Sequence, residues 1–169
     1  MSHNIDSPVT ELLNQLAIAF EVIEIPLSED QKPIRNLEEL LISEGRDPSS
    51  VIRSIVFKTG SGAFVLLGVA GGGRADWAVL RKHLDERKLR MAEFDEVTQV
   101  TGYVVGAVPP ISLPESIRVL LDKSVTDYDT VIIGSGVLGY ALSLSSKDLQ
   151  TAMNDADIGD FVKAVSTDN

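Results

Sequence analysis

Cysteine is absent and histidine occurs only at His3 and His83, so any chemistry in these 169 residues falls to hydroxyls, carboxylates, cations and the backbone itself. That composition excludes disulfides, thiolate metal sites and a thiol nucleophile. One histidine near the amino terminus and one in a charged helix make neither a histidine triad nor a multi-histidine metal centre, so no metal and no cofactor is expected. Three stretches remain in which residue types and spacing can do work. The first is Thr101-Gly-Tyr-Val-Val-Gly-Ala-Val-Pro-Pro110, with Leu113-Pro114 close behind. Glycine frees the backbone for positive φ or close approach, and proline fixes φ while removing a donor. The stretch therefore describes a stiff loop with bare peptide groups. Such a loop suits a wall that reads a small substrate by main-chain hydrogen bonds and shape, and it equally suits a plain connector.

The second stretch centres on Arg53, which interrupts the apolar pattern Val51-Ile52 and Ile55-Val56-Phe57. A guanidinium there must reach solvent, a carboxylate, or a ligand's phosphate or carbonyl. Strand alternation by itself also allows an outward position on the sheet. The third stretch, Gly134-Ser-Gly-Val-Leu-Gly139, spells the letters of a dinucleotide-binding loop. That motif needs a helix directly after it, whereas Tyr140-Ala-Leu-Ser-Leu144 reads as a strand. A β-turn whose glycines pass close to a neighbouring wall is expected instead. Asp122, Asp127 and Asp129 lack metal-loop spacing and read as turn and cap residues.

The elements that must position these stretches can be read from periodicity and caps. Pro8 sits early in a helix capped by Ser7 and running to about Ala19, with Leu12, Leu13, Leu16 and Ile18 as its apolar stripe. Phe20 to Ile25 is a strand ended by Pro26, and Asn36 caps a helix through Leu37, Leu40 and Leu41 that Gly45 closes. Ser50 to Thr59 and Ala63 to Ala70, joined by Gly60-Ser-Gly62, form a hairpin rich in branched and aromatic residues. Asp76 caps a helix from Trp77 to about Leu84. A short strand near Lys88 to Met91 follows, then a helix from about Glu93 to Val100 that Gly102 stops. Strands at 117–122, 130–134 and 140–144 precede a last helix capped by Ser145 and running to about Met153. This order is not a regular βαβ repeat. The fold class expected is α+β, with a mixed, mostly antiparallel barrel-like sheet flanked by helices. One domain over 1–169 is expected, its ends at 1–7 and 164–169 fraying.

A formal net charge of −10 argues against broad affinity for nucleic acid, DNA included, because that affinity comes from neutralised phosphates. Residues 1–50 hold ten acids against three bases, whereas Arg74, Arg81, Lys82, Arg87, Lys88 and Arg90 gather six bases in one stretch. That stretch is the candidate phosphate-facing patch; it is also what a solvated helix with basic residues toward its end looks like. There is no signal peptide and no apolar run long enough for a bilayer, so no membrane partner is expected and a cytoplasmic location follows.

Taken in order, the first helix with Phe20-Glu-Val-Ile-Glu, Leu37-Glu-Glu-Leu, Asp47-Pro-Ser-Ser-Val-Ile-Arg-Ser-Ile-Val-Phe57, the loop Thr101 to Pro110, Leu120-Leu-Asp122 and Gly134 to Gly139 resemble the YbaK family. These are aminoacyl-tRNA editing domains, also found inserted in bacterial prolyl-tRNA synthetases. The likeness covers roughly residues 8–160, and its most specific piece is Gly106-Ala-Val-Pro-Pro110, which matches the family's G-x-x-x-P signature.

The resemblance implies hydrolysis, without metal, of the ester that joins a wrongly attached small amino acid (cysteine, alanine or serine class) to the 3′ end of a tRNA-Pro-like tRNA. It implies a mischarged tRNA as partner, with an aminoacyl-tRNA synthetase as a further one. Water, a ribose hydroxyl or the substrate's own thiol supplies the attack, and the protein contributes positioning and electrostatics. On this resemblance Arg53 takes the catalytic lysine's place. Phe20, Tyr103, Gly106, Ala107, Val108, Pro109, Pro110, Gly134, Ser135 and Gly136 bind substrate, and Arg74, Arg81, Lys82, Arg87 and Lys88 meet tRNA. Arg53 can clamp a carbonyl or phosphate but cannot lend a proton at neutral pH. Phe20 replaces a tyrosine of many relatives, Ala141 an aspartate and Gly134 a serine, with Ser135 as candidate substitute. These losses raise the alternative of a catalytically drifted member that binds a small ligand or a protein partner through the same pocket.

Overall fold

The computed structural model describes residues 5–153 and 156–163. His3 and most of both ends expected to fray lie outside that range; Ser7, counted with them, is buried. The chain forms α1 (Pro8–Gln15), β1 (Phe20–Glu24), α2 (Leu37–Ser43), β2 (Arg53–Thr59), β3 (Phe64–Val69), α3 (Trp77–Leu84), β4 (Leu89–Met91) and α4 (Phe94–Thr101). It continues with β5 (Arg118–Asp122), β6 (Thr130–Gly134), β7 (Tyr140–Ser145), α5 (Ser146–Ala152) and β8 (Asp157–Gly159).

The caps work as the side chains dictate. Ser7 Oγ accepts the Thr10 N–H at the start of α1, and the side chains of Asn36, Asp76 and Ser145 cap α2, α3 and α5. Gly102 ends α4 in the left-handed conformation, at φ 81°. The first helix is shorter than its apolar stripe suggests. It stops at Gln15 because Ala17 turns left-handed at φ 57°, which lets Ile18 point back into the core.

The sheet is α+β and mixed as expected, yet it is not one closed barrel. A three-stranded antiparallel sheet runs β1-β7-β6 and a five-stranded one β4-β2-β3-β5-β8. In the larger sheet the pairs β3·β5 and β5·β8 are parallel and the others antiparallel. Strand β8, which sequence periodicity does not reveal, is three residues long with an exposed pattern, too short to carry a signal. The two sheets meet through one bridge, Val51 to Ile132, where the Ile52 N–H donates to Ile132 O at 2.8 Å.

Period-two burial explains the layers. Val131, Ile133, Leu142 and Leu144 of the small sheet pack with Val9 and Leu13 of α1 and Leu149 of α5; Ile23, Ile132 and Ala141 pack on Leu40 and Leu41 of α2 on the other face. In the large sheet Phe57, Val65 and Leu67 meet Leu80 of α3. Val56 and Leu66, on the opposite face, meet Val97 of α4. Beyond the Val51–Ile132 bridge the sheets part, and a cavity opens between them.

Candidate active site

The cavity measures about 340 Å³, near the lower end of the roughly 300–1,000 Å³ usual for small-molecule sites. Its walls come from three places: β2 at Ile52 to Val56, the loop at Val105, Gly106 and Val108, and the β6–β7 hairpin at Ile133, Gly134, Tyr140 and Ala141. Met91 and Phe94 stand at its mouth.

The two glycine-rich stretches face one another because Gly134 has no side chain. A β-carbon there would lie 2.5 Å from Val108 O and 2.9 Å from Ala107 O. The Gly136 N–H donates to Ala107 O at 2.9 Å, and a β-carbon on Gly136 would strike the Tyr103 ring at 2.9 Å. Tyr103 is buried and its hydroxyl donates to Ser112 O at 2.8 Å, which ties the far end of the loop; burial pushes that phenol's pKa up. Ser7 Oγ donates to Ser135 O at 2.7 Å and so joins α1 to the hairpin turn. The wall is thus held by backbone contacts along its length.

Of the residues singled out from the sequence, Arg53, Gly106, Val108 and Gly134 line this cavity together. Ala107 and Gly136 lock the two loops to each other, and Pro109 and Pro110 are buried behind the wall. Ser135 does not face the cavity: its hydroxyl is taken up by Val137 O at 2.9 Å, Tyr140 O at 2.7 Å and the Val137 N–H at 3.0 Å. Phe20 packs into the core beside α1, opposite Leu144, and leaves the cavity open. Tyr103 supports the loop from outside.

Arg53 sits at the rim, shared by the cavity and an adjoining groove that also holds Arg74 and Lys163. Its side chain leaves β2 on the α3 side of the sheet, and Nη2 donates to Gly73 O. Ser54, the next residue, points the other way, between Ile52 and Val56. Its hydroxyl is buried without a hydrogen-bond partner in a strand that lines the cavity. A buried hydroxyl without a protein partner costs about 1–3 kcal/mol, so Ser54 Oγ adds nothing to the fold that an apolar side chain would not. The sequence carries the signal, a lone polar residue at the inward period of an apolar strand, but the charge of Arg53 beside it is the stronger one.

The basic stretch divides. Arg74 joins the groove next to the cavity, whereas Lys88 flanks Gly60 at the opposite end of β2 with Arg87 beside it, and Arg81 and Lys82 lie on α3. Arg90 holds Glu96 through two bonds of 2.7 and 2.9 Å, and the Glu93 N–H donates to the same carboxylate at 2.9 Å. That guanidinium brings the Glu96 pKa down to about 2 from 4.5 and fixes β4 against the first turn of α4, which places Met91 and Phe94.

The model of the aminoacyl-tRNA editing domain matches residues 31–152, a span that contains β2, the loop at Val105 to Val108 and the β6–β7 hairpin. The chain belongs to the aminoacyl-tRNA editing domain family. Curated relatives of this editing domain include the proline--tRNA ligases of Streptococcus sanguinis, 28% identical over 109 residues, and of Thermotoga maritima, 29% identical over 112. These matches take in 64% and 66% of this chain but only 18% and 19% of the ligases, so the chain spans about a fifth of their length. Two solved structures share the fold. The hypothetical protein APE2540 superposes with a TM-score of 0.78 at 23% identity, over 93% of this chain and all of the other. A protein described as a candidate trans-editing enzyme for prolyl tRNA synthetase gives 0.74 at 22%, over 95% of this chain and all of its own.

Proposed function

We propose that this editing domain acts as a free-standing, cytoplasmic deacylase. It hydrolyses the ester between a wrongly attached amino acid of the cysteine, alanine or serine class and the 3′ ribose of a tRNA-Pro-like tRNA, on its own or beside a synthetase. The observation that carries the reading is the small apolar cavity walled by the backbone of Gly106 to Val108 and by Gly134. A wall built of peptide groups excludes large side chains by position, and it cannot yield as a flexible side chain would. In the reaction a water oxygen bonds to the ester carbonyl carbon, the bond from that carbon to the ribose oxygen breaks, and the proton lost by the water ends on the ribose oxygen. Free amino acid and tRNA result.

Arg53 clamps the carbonyl or the neighbouring phosphate with the N–H groups that Gly73 O does not use. Ser54 Oγ hydrogen-bonds the aminoacyl group. Incubation with alanyl-, cysteinyl- and seryl-tRNA-Pro tests the activity; amino acid release no faster than in buffer for all three would refute it.

The link from Arg53 to Gly73 and the apolar Ala141 in the wall support a second reading, in which the cavity holds a small ligand without turnover. An inert native protein that gains deacylation on Arg53→Lys would establish that reading. An active protein silenced by Arg53→Ala would support the clamp.

A further inference from the structure

We propose that the amino terminus of α1 is the keystone of the cavity: a closed ring of hydrogen bonds through Ser7, Tyr103 and Ser112 sets the distance between its two backbone walls, and so the largest side chain it admits. The size limit rests on the editing reading of the cavity; the ring itself is tested without it.

The ring runs through three segments far apart in the chain. Ser7 Oγ donates to Ser135 O at 2.7 Å in the β6–β7 turn, and the next residue, Gly136, donates its N–H to Ala107 O at 2.9 Å in the opposite wall. Within that wall the Ala107 N–H donates to Val104 O at 3.0 Å, beside Tyr103, whose hydroxyl donates to Ser112 O at 2.8 Å. Ser112 Oγ donates to Pro8 O at 3.1 Å, and Pro8 follows Ser7 directly, which closes the ring. Gly136 sits in its middle: a β-carbon there would lie 2.9 Å from Tyr103 Cε1 and 3.5 Å from Ser7 Cβ.

These bonds go beyond what a helix cap and a loop need. Capping α1 requires only that Ser7 Oγ accept the Thr10 N–H, yet the same buried hydroxyl also donates to the hairpin turn. Ser112 stands at φ 58°, a left-handed conformation that a serine keeps only where its surroundings impose it, and here bonds to Tyr103 and Pro8 hold both its carbonyl and its hydroxyl. None of Ser7, Tyr103 and Ser112 lines the cavity, whereas Gly106, Val108 and Gly134 do, and each of those adjoins Ala107 or Ser135 of the ring. The three side chains are therefore positioning residues that act through the peptide groups of the walls. Ser7 and Pro8 also precede the matched span 31–152, so the ring joins the family's two loops to an element outside it.

The test uses the full chain with Tyr103→Phe, Ser112→Gly and Ser7→Ala. Amide hydrogen exchange reads the ring directly. Each substitution should speed exchange about fivefold, the scale of one hydrogen bond, on the far side of the ring: at the Val137 N–H for Tyr103→Phe and Ser112→Gly, and at the Ala107 N–H for Ser7→Ala. In each variant kcat/KM for prolyl-tRNA-Pro relative to alanyl-tRNA-Pro should rise about tenfold, with kcat for the alanyl ester falling and its KM unchanged. Ser7→Thr keeps the hydroxyl and should behave as wild type. Ser145→Ala removes the cap of α5, outside the ring, and should lower the melting temperature without moving the ratio. Ser112→Gly relieves left-handed strain, so it should move the ratio with no fall in melting temperature.

Faster exchange confined to the neighbours of each substituted residue, or a ratio that shifts equally in Ser145→Ala, would overturn the ring. Exchange loosened across the ring with an unchanged ratio would overturn its control of size. A native protein that releases no amino acid, yet shows the coupled exchange, keeps the ring and loses the deacylase reading. An active protein whose exchange is uncoupled does the reverse.

Discussion

Replacing Gly134 by alanine places a methyl group 2.5 Å from Val108 O, 2.8 Å from Val108 C and 2.9 Å from Ala107 O. Carbon–oxygen contacts of this kind normally settle at about 3.3–3.6 Å, so the loop must retreat by roughly 1 Å. All three obstructing atoms are backbone, and Pro109 and Pro110 stiffen the chain just beyond them, so the strain cannot escape through a rotamer change. Overpacking of this sort costs about 1–3 kcal/mol. The functional loss should be larger in proportion, because a displacement of about 1 Å in a positioning wall can cost on the order of 100-fold in rate. Gly62→Ala is the control. That residue has φ +93° but nothing within 4 Å of an added β-carbon, and it lies in the β2–β3 turn away from the cavity. It should lose about 1–2 kcal/mol to left-handed strain and keep its activity. Urea unfolding and deacylation of alanyl-tRNA-Pro, run on the same preparations, separate the two effects. If Gly134→Ala turns over like wild type, or if Gly62→Ala loses activity equally, the wall does not position substrate as argued.

Ser54→Ala removes a hydroxyl that is buried without a partner, so the melting temperature should hold or rise while deacylation falls several-fold; a clear drop in stability with unchanged kinetics would mean that the hydroxyl serves the fold. Glu96 titrates at about 2 in the folded state against 4.5 ordinarily, chiefly because Arg90 hydrogen-bonds its carboxylate. The folded state thus binds fewer protons than the unfolded one between those values, and the stabilisation is complete above pH 4.5 and lost as pH falls to 2. Urea titrations of wild type and Arg90→Gln should therefore differ by a constant amount above about pH 5 and converge toward pH 2. A gap that persists undiminished at pH 2 would contradict the assignment.

Much of the architecture was legible because it is local. Side-chain caps at Ser7, Asn36, Asp76 and Ser145, the stop at Gly102, and branched runs in β2, β3 and β6 all act within a few residues of themselves. The strand after the glycine turn Gly134 to Gly139 is local in the same way: Tyr140–Ser145 is visible in its own alternation. What escaped was non-local. The three-residue strand β8 exists because β5 offers it a parallel edge, and the sheet divides in two because, among the described residues, only Val51 and Ile132 bridge the halves.

The site divides along the same line. Residue type alone determined that this protein works without cysteine or a histidine pair, that a glycine-proline loop supplies bare backbone, and that a guanidinium stands in an apolar strand. Which of these meet was decided by tertiary structure. Gly134 matters because the Ala107 and Val108 carbonyls lie against it, residues more than twenty positions away in the chain. Phe20 and Ser135 are occupied by the core and by their own turn, whereas Ser54 and Phe94 reach the cavity and its mouth. A β-strand sends neighbours to opposite faces, so Arg53 and Ser54, adjacent in sequence, face different surroundings, and only the folded sheets show what each one meets.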